Sequence, residues 1–191
     1  TTASYNTAVG HASLGANTTG ASNVAVGTGA LAANTTGTEN VSVGTYALDA
    51  NTTASYNTAL GYNTSLGRHA LYANTTGASN TALGGGSLDA NTTGGYNVAV
   101  GYNALTTATT ANSNTAIGES AMLSTTTGAD SVAVGKNALL ANTTGANNVA
   151  VGVLSLDANT SGGSNVALGH NALTANTTAS NNTAVGKSAL L

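Results

Sequence analysis

The amino-acid sequence predicts an all-β protein, a parallel β-solenoid of about eleven coils of 17 residues. Three observations lead to this prediction. The word N-[TV]-A-[VLI]-G-x-x-[AS]-L recurs along the 191 residues, its apolar positions recur strictly, and the turn-forming word A-N-T-T-G separates many of the copies. A fixed period of this size is typical of proteins in which each repeat is one coil stacked on the previous one.

The leading asparagine marks the start of each copy and is taken as position 0. Ser131 replaces it once, and every step is 17 residues except a step of 23 residues between Asn57 and Asn80. We therefore expect a single array over residues 1–191 with a six-residue insertion near residues 61–68. The leading asparagines are Asn6, Asn23, Asn40, Asn57, Asn80, Asn97, Asn114, Asn148, Asn165 and Asn182.

The first element of each coil is a short strand. Position 3 is always Val, Leu or Ile, and position 1 is Thr or Val. These two positions share one face because side chains alternate along a strand. We expect this β-branched face to point into the coil and the small position 2, Ala or Ser, to point outward. Three chains around one axis could then approach closely along the position 2 column.

The remaining elements follow from position 4 onward. Position 4 is Gly in every copy, which indicates a backbone with positive φ or a very close approach, and we place the first corner there. A second short strand around [AS]-L and a turn at A-N-T-T-G should complete the coil. The leucine should meet the residue at position 3 inside the coil, as Leu139 would meet Val134.

Composition excludes several classes of function. Three basic residues, Arg68, Lys136 and Lys187, in a chain of formal net charge −3 are too few to neutralise a nucleic-acid backbone. No apolar stretch reaches the roughly 18 residues of a membrane span. No Cys is present, the three His residues lie far apart, and no nucleophile–base or carboxylate pair is evident. We expect no enzyme activity, no metal and no cofactor.

The repeat words resemble those of two groups of fibrous proteins. S-N-V-A-V-G, Y-N-T-A-L-G and G-H-N-A-L are similar to the head repeats of trimeric autotransporter adhesins, and still more to the N-T-A-x-G-x-x-A-L arrays of phage and bacterial tail-fibre-like proteins. The resemblance covers residues 1–191. It implies a left-handed β-roll, three chains wound into a fibre, and a location outside the cell, on its surface or on a virion.

The asparagine of the turn lies in an N-x-[ST] sequon in eight copies. One interpretation is a line of glycans along one edge. The other is a stacked ladder whose amides bind the next coil, which we favour because a coil spacing of ~4.8 Å leaves little room for a sugar on each coil. These residues are Asn17, Asn34, Asn51, Asn74, Asn91, Asn142, Asn159 and Asn176.

The step of 23 residues holds the best candidate for a ligand contact. N-T-S-L-G-R at residues 63–68 duplicates the preceding N-T-A-L-G-Y. Insertions in solenoids map to loops, so we expect a projecting loop. Tyr62, Arg68, His69 and Tyr72 would then form a contact for a glycan or receptor, and the alternative is a slipped duplication tolerated at the surface.

Two further expectations concern function. The sequence favours a structural segment of an extracellular fibre, with an adhesive module as the alternative and an ice-binding solenoid, suggested by the paired threonines of each turn, as a lower one. The chain opens inside one copy and closes inside another, so we expect a longer repeat chain or copies stacked head to tail in a filament.

Overall fold

The computed structural model describes residues 3–60 and 63–191. Within these ranges each regular element is a three-residue β-strand, and no helix is present. The strands are β1 (Thr7–Val9), β2 (Val24–Val26), β3 (Val41–Val43), β4 (Thr58–Leu60), β5 (Thr64–Leu66), β6 (Thr81–Leu83), β7 (Val98–Val100), β8 (Thr115–Ile117), β9 (Val132–Val134), β10 (Val149–Val151), β11 (Val166–Leu168) and β12 (Thr183–Val185).

The chain forms two compact units, Thr1–Tyr62 and Asn63–Leu191. In the first unit β1 to β4 form a parallel sheet in chain order, and in the second β5 to β12 do the same. Equivalent residues pair between neighbouring strands, so Val149 lies beside Val166 and Ala150 beside Ala167. The prediction of an all-β parallel solenoid with 17-residue coils is confirmed within each unit.

The duplicated word begins the second unit. Residues 64–66, which we expected in a projecting loop, form β5 and pair with β6 in the regular register, Thr64 beside Thr81. The loop prediction is wrong for these residues because N-T-S-L-G repeats the strand word and Asn63 stands 17 residues before Asn80. Residues 61 and 62 lie outside the described residues.

The strands present the opposite face to the interior from the one predicted. At position 2, Ala99, Ala116 and Ala133 are fully buried, whereas Ile117 and Val151 at position 3 keep 39% and 38% of their surface exposed. The asparagine at position 0 decides the orientation, because its amide finds hydrogen-bond partners only inside the coil. Position 2 lies on the same side of the strand and follows it inward. The position 2 column is therefore core, so the prediction that it forms a close interface between chains is wrong.

The leucine of [AS]-L is the large apolar group of the core, but it lies in a turn. Leu139 is fully buried with a φ of 52°, and no second strand forms around it in the described residues. A left-handed backbone costs a residue roughly 1–2 kcal/mol, which burial of a leucine, roughly 1.5–3 kcal/mol, offsets. Val134 lies on the outward side of its strand, away from the core that holds Leu139. The predicted contact between Val134 and Leu139 is therefore wrong.

Hydrogen bonds between coils continue through this turn. The Leu139 amide donates to the Ser155 carbonyl at 3.0 Å, and the Leu105 amide donates to the Ala121 carbonyl at 3.0 Å. Alanines at positions 2 and 7 pack around the leucines, and Met122 takes the place of leucine in one coil. The apolar core of each coil is thus one large side chain surrounded by small ones, so substitutions that enlarge an alanine at position 2 or 7 have no space to fill.

The glycine at position 4 meets both conditions that the sequence suggested. Gly118 has a φ of 133°, and a Cβ placed on it would lie 2.7 Å from the carbonyl carbon and oxygen of Gly135 in the next coil. Any side chain here would force neighbouring coils apart. The strand therefore ends one residue before this glycine, at Ile117 in β8, and the chain turns into the leucine corner.

Candidate functional site

The eight sequon asparagines lie in two stacks, one in each unit, and we call them together the turn ladder. Asn34 Nδ2 donates to Asn17 Oδ1 and to the Gly37 carbonyl, both at 3.0 Å. In the second unit Asn159 Nδ2 likewise donates to Asn142 Oδ1 at 3.0 Å. Asn34, Asn91, Asn142 and Asn159 are fully buried, and the other four are half-buried. An N-linked sugar on a buried amide would displace the bonds that its nitrogen makes.

The leading asparagines form a second stack in each unit, the strand ladder, which the sequence did not reveal. Asn40 Oδ1 accepts a hydrogen bond from the backbone amide of Asn57 in the next coil, at 2.9 Å. Asn40 Nδ2 donates to the Ala54 carbonyl at 3.0 Å. The two ladders converge on one carbonyl per coil. The Gly37 carbonyl accepts Asn23 Nδ2 at 2.9 Å and Asn34 Nδ2 at 3.0 Å. Both side chains are therefore used to hold the backbone of the coil closed.

The ladders are interrupted in the middle of the second unit. Ala108 and Thr125 stand where other copies carry the turn asparagine, and Asn91 Oδ1 is buried without a hydrogen-bond partner. Thr125 partly substitutes, since its hydroxyl accepts Asn142 Nδ2 at 3.4 Å. Ser131 interrupts the strand ladder, and its hydroxyl oxygen accepts a hydrogen bond from the backbone N–H of Asn148 at 3.1 Å.

The first threonine after the turn asparagine is also engaged in stacking. Thr35 Oγ1 donates to the Thr52 carbonyl at 3.0 Å, and Thr92 Oγ1 donates to the Thr109 carbonyl at 3.0 Å. These hydroxyls serve the neighbouring coil, so they do not form a free, flat array of donors that could match a crystal surface.

The outer side of the eight-stranded sheet carries aliphatic and threonine side chains, and we call positions 1 and 3 of β5 to β12 the outer face. Leu66, Ile117, Val151, Leu168 and Val185 are 70%, 39%, 38%, 36% and 68% exposed. The position 1 column is Thr64, Thr81, Val98, Thr115, Val132, Val149, Val166 and Thr183; the position 3 column is Leu66, Leu83, Val100, Ile117, Val134, Val151, Leu168 and Val185. No charged side chain interrupts these two columns.

A polar groove of about 340 Å³ lies within the second unit, and we call it the glycine notch. Glycines at positions 5 and 6 of one coil form its floor, while the neighbouring coils carry bulky residues at those positions and supply the walls. The lining residues are Gly85, Gly86 and Asp89 in the middle coil, Arg68 and His69 in the preceding one, and Tyr102 and Asn103 in the following one.

Two of the four residues predicted to contact a ligand line this groove, Arg68 and His69. Tyr72 stacks on His69, with ring centroids 4.9 Å apart and an angle of 17° between the ring planes. Tyr62 lies outside the described residues. Sequence reasoning missed Asp89, Tyr102 and Asn103, which become neighbours only through coil stacking. The signal available was the G-G-G run at residues 84–86, because position 5 carries a side chain in the other copies and is Gly85 here.

Ionisable groups are few and mostly isolated. Lys136 Nζ lies 3.0 Å from Glu119 Oε2, with both side chains about half exposed. Desolvation raises the pKa of Asp157, and backbone hydrogen bonds from Asp157 and Ala158 oppose this effect. Within residues 3–60 and 63–191, no cluster of three His, Cys, Asp or Glu side chains could hold a metal ion. The same ranges contain no helix that is long and apolar enough to cross a membrane.

Comparisons with protein-family models, with curated proteins and with solved structures found no match to this chain.

Proposed function

We propose that the chain is a structural segment of an extracellular fibre, the shaft of a surface fibril or tail fibre, formed by self-association of copies into a trimer. The observation that carries the proposal is the outer face. Eight stacked strands expose two unbroken columns without charge, although each coil already has a closed core of leucine and alanine. The location outside the cell or on a virion rests on the resemblance of the repeat words alone.

Copies of this chain are the partners that suit the outer face best. Its side chains recur at the strand spacing, ~4.8 Å, over eight strands. A partner stays in register along the whole face only if its side chains recur at the same spacing. Another copy of the chain has the same spacing because it has the same coils. In a trimer the three outer faces would meet around the axis and cover one another.

The aliphatic side chains of the outer face are the groups that would drive association. Position 3 side chains such as Ile117 and Val151 keep about two-fifths of their surface exposed. Full burial of such a side chain is worth roughly 1.5–3 kcal/mol, so covering the remainder gives roughly 0.6–1.2 kcal/mol for each residue. The eight aliphatic residues of the position 3 column, together with Val98, Val132, Val149 and Val166 at position 1, supply this apolar contribution, which opposes the entropy lost on association.

Charge placed on the outer face tests the proposal. Val149→Lys puts an ammonium group in the proposed interface and should convert assemblies into folded monomers, as sedimentation velocity and circular dichroism would report. Thr144→Lys, on an exposed turn, is the matched control and should assemble like the parent chain. Assembly of Val149→Lys equal to that of the control would exclude the outer face as the interface.

An adhesive role is the second candidate, and the glycine notch is the observation that favours it. Copies in a fibre would present the notch several times, so weak contacts would add through avidity. The ice-binding alternative has less support, because the first threonine hydroxyl of each turn donates to the next coil in most copies. A thermal-hysteresis measurement would test that alternative.

A further inference from the structure

We propose that the glycine notch is a binding site for a neutral pyranose sugar. The inference gives the adhesive candidate a location and a ligand class, and it does not depend on self-association, because all seven lining residues belong to one chain. It rests on the shape of the notch, on one aromatic wall and on four polar side chains around it.

The notch exists because two side chains are missing from a regular stack. Positions 5 and 6 are Arg68–His69 in one coil and Tyr102–Asn103 two coils later, with Gly85–Gly86 between them. The coils that form the walls are therefore two spacings apart, ~9.6 Å. A single six-membered ring such as a pyranose chair can enter such a slot between the two walls. The volume of about 340 Å³ lies at the small end of ligand sites, which suits one or two sugar rings.

Tyr102 supplies the apolar surface that a sugar ring needs. Its side chain is 64% exposed. A Cβ placed on Gly85 would lie 3.6 Å from Tyr102 Cδ2 and 3.9 Å from Cε2, so the ring of Tyr102 borders the empty position at van der Waals distance. The C–H groups on one side of a pyranose carry partial positive charge and pack on the electron-rich face of an aromatic ring.

The polar side chains of the notch have unused hydrogen-bonding capacity. Arg68, His69, Asp89 and Asn103 make no side-chain hydrogen bond or ion pair to another described residue. Together they offer donors and acceptors, as alternating sugar hydroxyls require. The charges of Arg68 and Asp89 have opposite sign and balance, which favours a neutral ligand over an acidic sugar.

Gly85 allows the notch to be closed without disturbing the fold. A side chain there meets only ordinary contacts, and position 5 holds Val153 in another coil. Gly85→Val should therefore fill the slot beside Tyr102 and leave the coil intact. His170→Val places the same side chain at position 5 of a distant coil and is the matched control.

Saturation-transfer NMR with methyl glycosides of glucose, galactose, mannose and N-acetylglucosamine tests the proposal, with glucuronic acid and N-acetylneuraminic acid as acidic probes. At least one neutral glycoside should bind at about millimolar concentration, as expected for an open site and one ring. Gly85→Val and Tyr102→Ala should weaken that binding by about ten-fold or more, and His170→Val should not change it.

Three outcomes would overturn the proposal: no neutral glycoside binds at about 20 mM, which is well above the expected range; an acidic sugar binds more tightly than every neutral one; or Gly85→Val binds like the parent chain. Circular dichroism of each variant checks the fold. Sedimentation of the same samples reports self-association separately, so failure of the notch and failure of the fibre proposal are distinguishable.

Discussion

At the scale of single residues, buried asparagines give each coil its shape. The two ladders place amide groups inside a narrow coil and direct them to backbone atoms of the same and the next coil, as Asn34 does with Asn17 and Gly37. A buried polar group without a partner costs more than a satisfied one gains, so the ladders are sensitive to interruption. The interruptions at Ala108 and Thr125 are therefore the places where a single substitution should have the clearest effect.

Ala108→Asn should stabilise the second unit. The new amide can donate to the unpaired Asn91 Oδ1, as Asn159 donates to Asn142 elsewhere in the same stack. We expect the free energy of unfolding in urea to rise by about 1 kcal/mol, the usual net value of a hydrogen bond. Ala108→Val adds similar volume without an amide and should give no such gain. Equal stability of the two variants would show that the ladder bond contributes nothing.

Asp157 should make stability depend on pH. Burial raises its pKa in the folded chain, so between the ordinary carboxyl pKa and the raised value the folded state binds more protons than the unfolded state. This contribution to stability is complete below the ordinary pKa and is lost as pH rises through the raised one. Asp157→Asn should therefore be more stable than the parent at pH 7 and lose that advantage at acidic pH. Urea unfolding across pH would contradict this account if the difference between the two proteins stayed constant.

At the scale of the element, each coil consists of one three-residue strand followed by turns. The strand, its period and the need for Gly at its end could be predicted from the sequence. Its orientation could not, because alternation defines two faces without saying which is inside. The Asn40 side chain determines which face is inside, because its amide donates to the Ala54 carbonyl 14 residues later. Only the closed coil brings this partner close. The leucine turn was also missed, since leucine rarely adopts the positive φ of Leu139.

Two truncations test this orientation. Leu139 is fully buried, and Leu139→Ala should lower the free energy of unfolding by about 2–5 kcal/mol. Val134 lies half-buried on the outer face, so Val134→Ala should cost the isolated chain about 1 kcal/mol or less. Urea denaturation at concentrations where the chain is monomeric measures both. A larger loss of unfolding free energy from Val134→Ala than from Leu139→Ala would instead support an orientation with position 3 inside the coil.

At the scale of the whole molecule, the proposed self-association surface and the proposed ligand site lie in different parts of the second unit. The outer face consists of positions 1 and 3 of the strands, and the notch of positions 5, 6 and 9 of three coils. For the candidate site, the sequence pointed to Arg68 and His69 through the duplicated word. The sequence did not predict that Tyr102 and Asn103 belong to the site, because they line the same groove as Arg68 only when the 17-residue coils are stacked. A fibre whose walls carry such notches would combine both proposed roles.

Cross-linking of single cysteines tests the central claim, that the outer face meets copies of itself. The chain has no cysteine of its own, so each substitution introduces one thiol. Val151→Cys lies on the outer face, Ala150→Cys points into the core, and Thr144→Cys lies on an exposed turn. With a bis-maleimide spanning about 10 Å, roughly two strand spacings, Val151→Cys should give covalent dimers rapidly and the other two should not. Cross-linking of Thr144→Cys as fast as that of Val151→Cys, or none at Val151→Cys, would contradict the account.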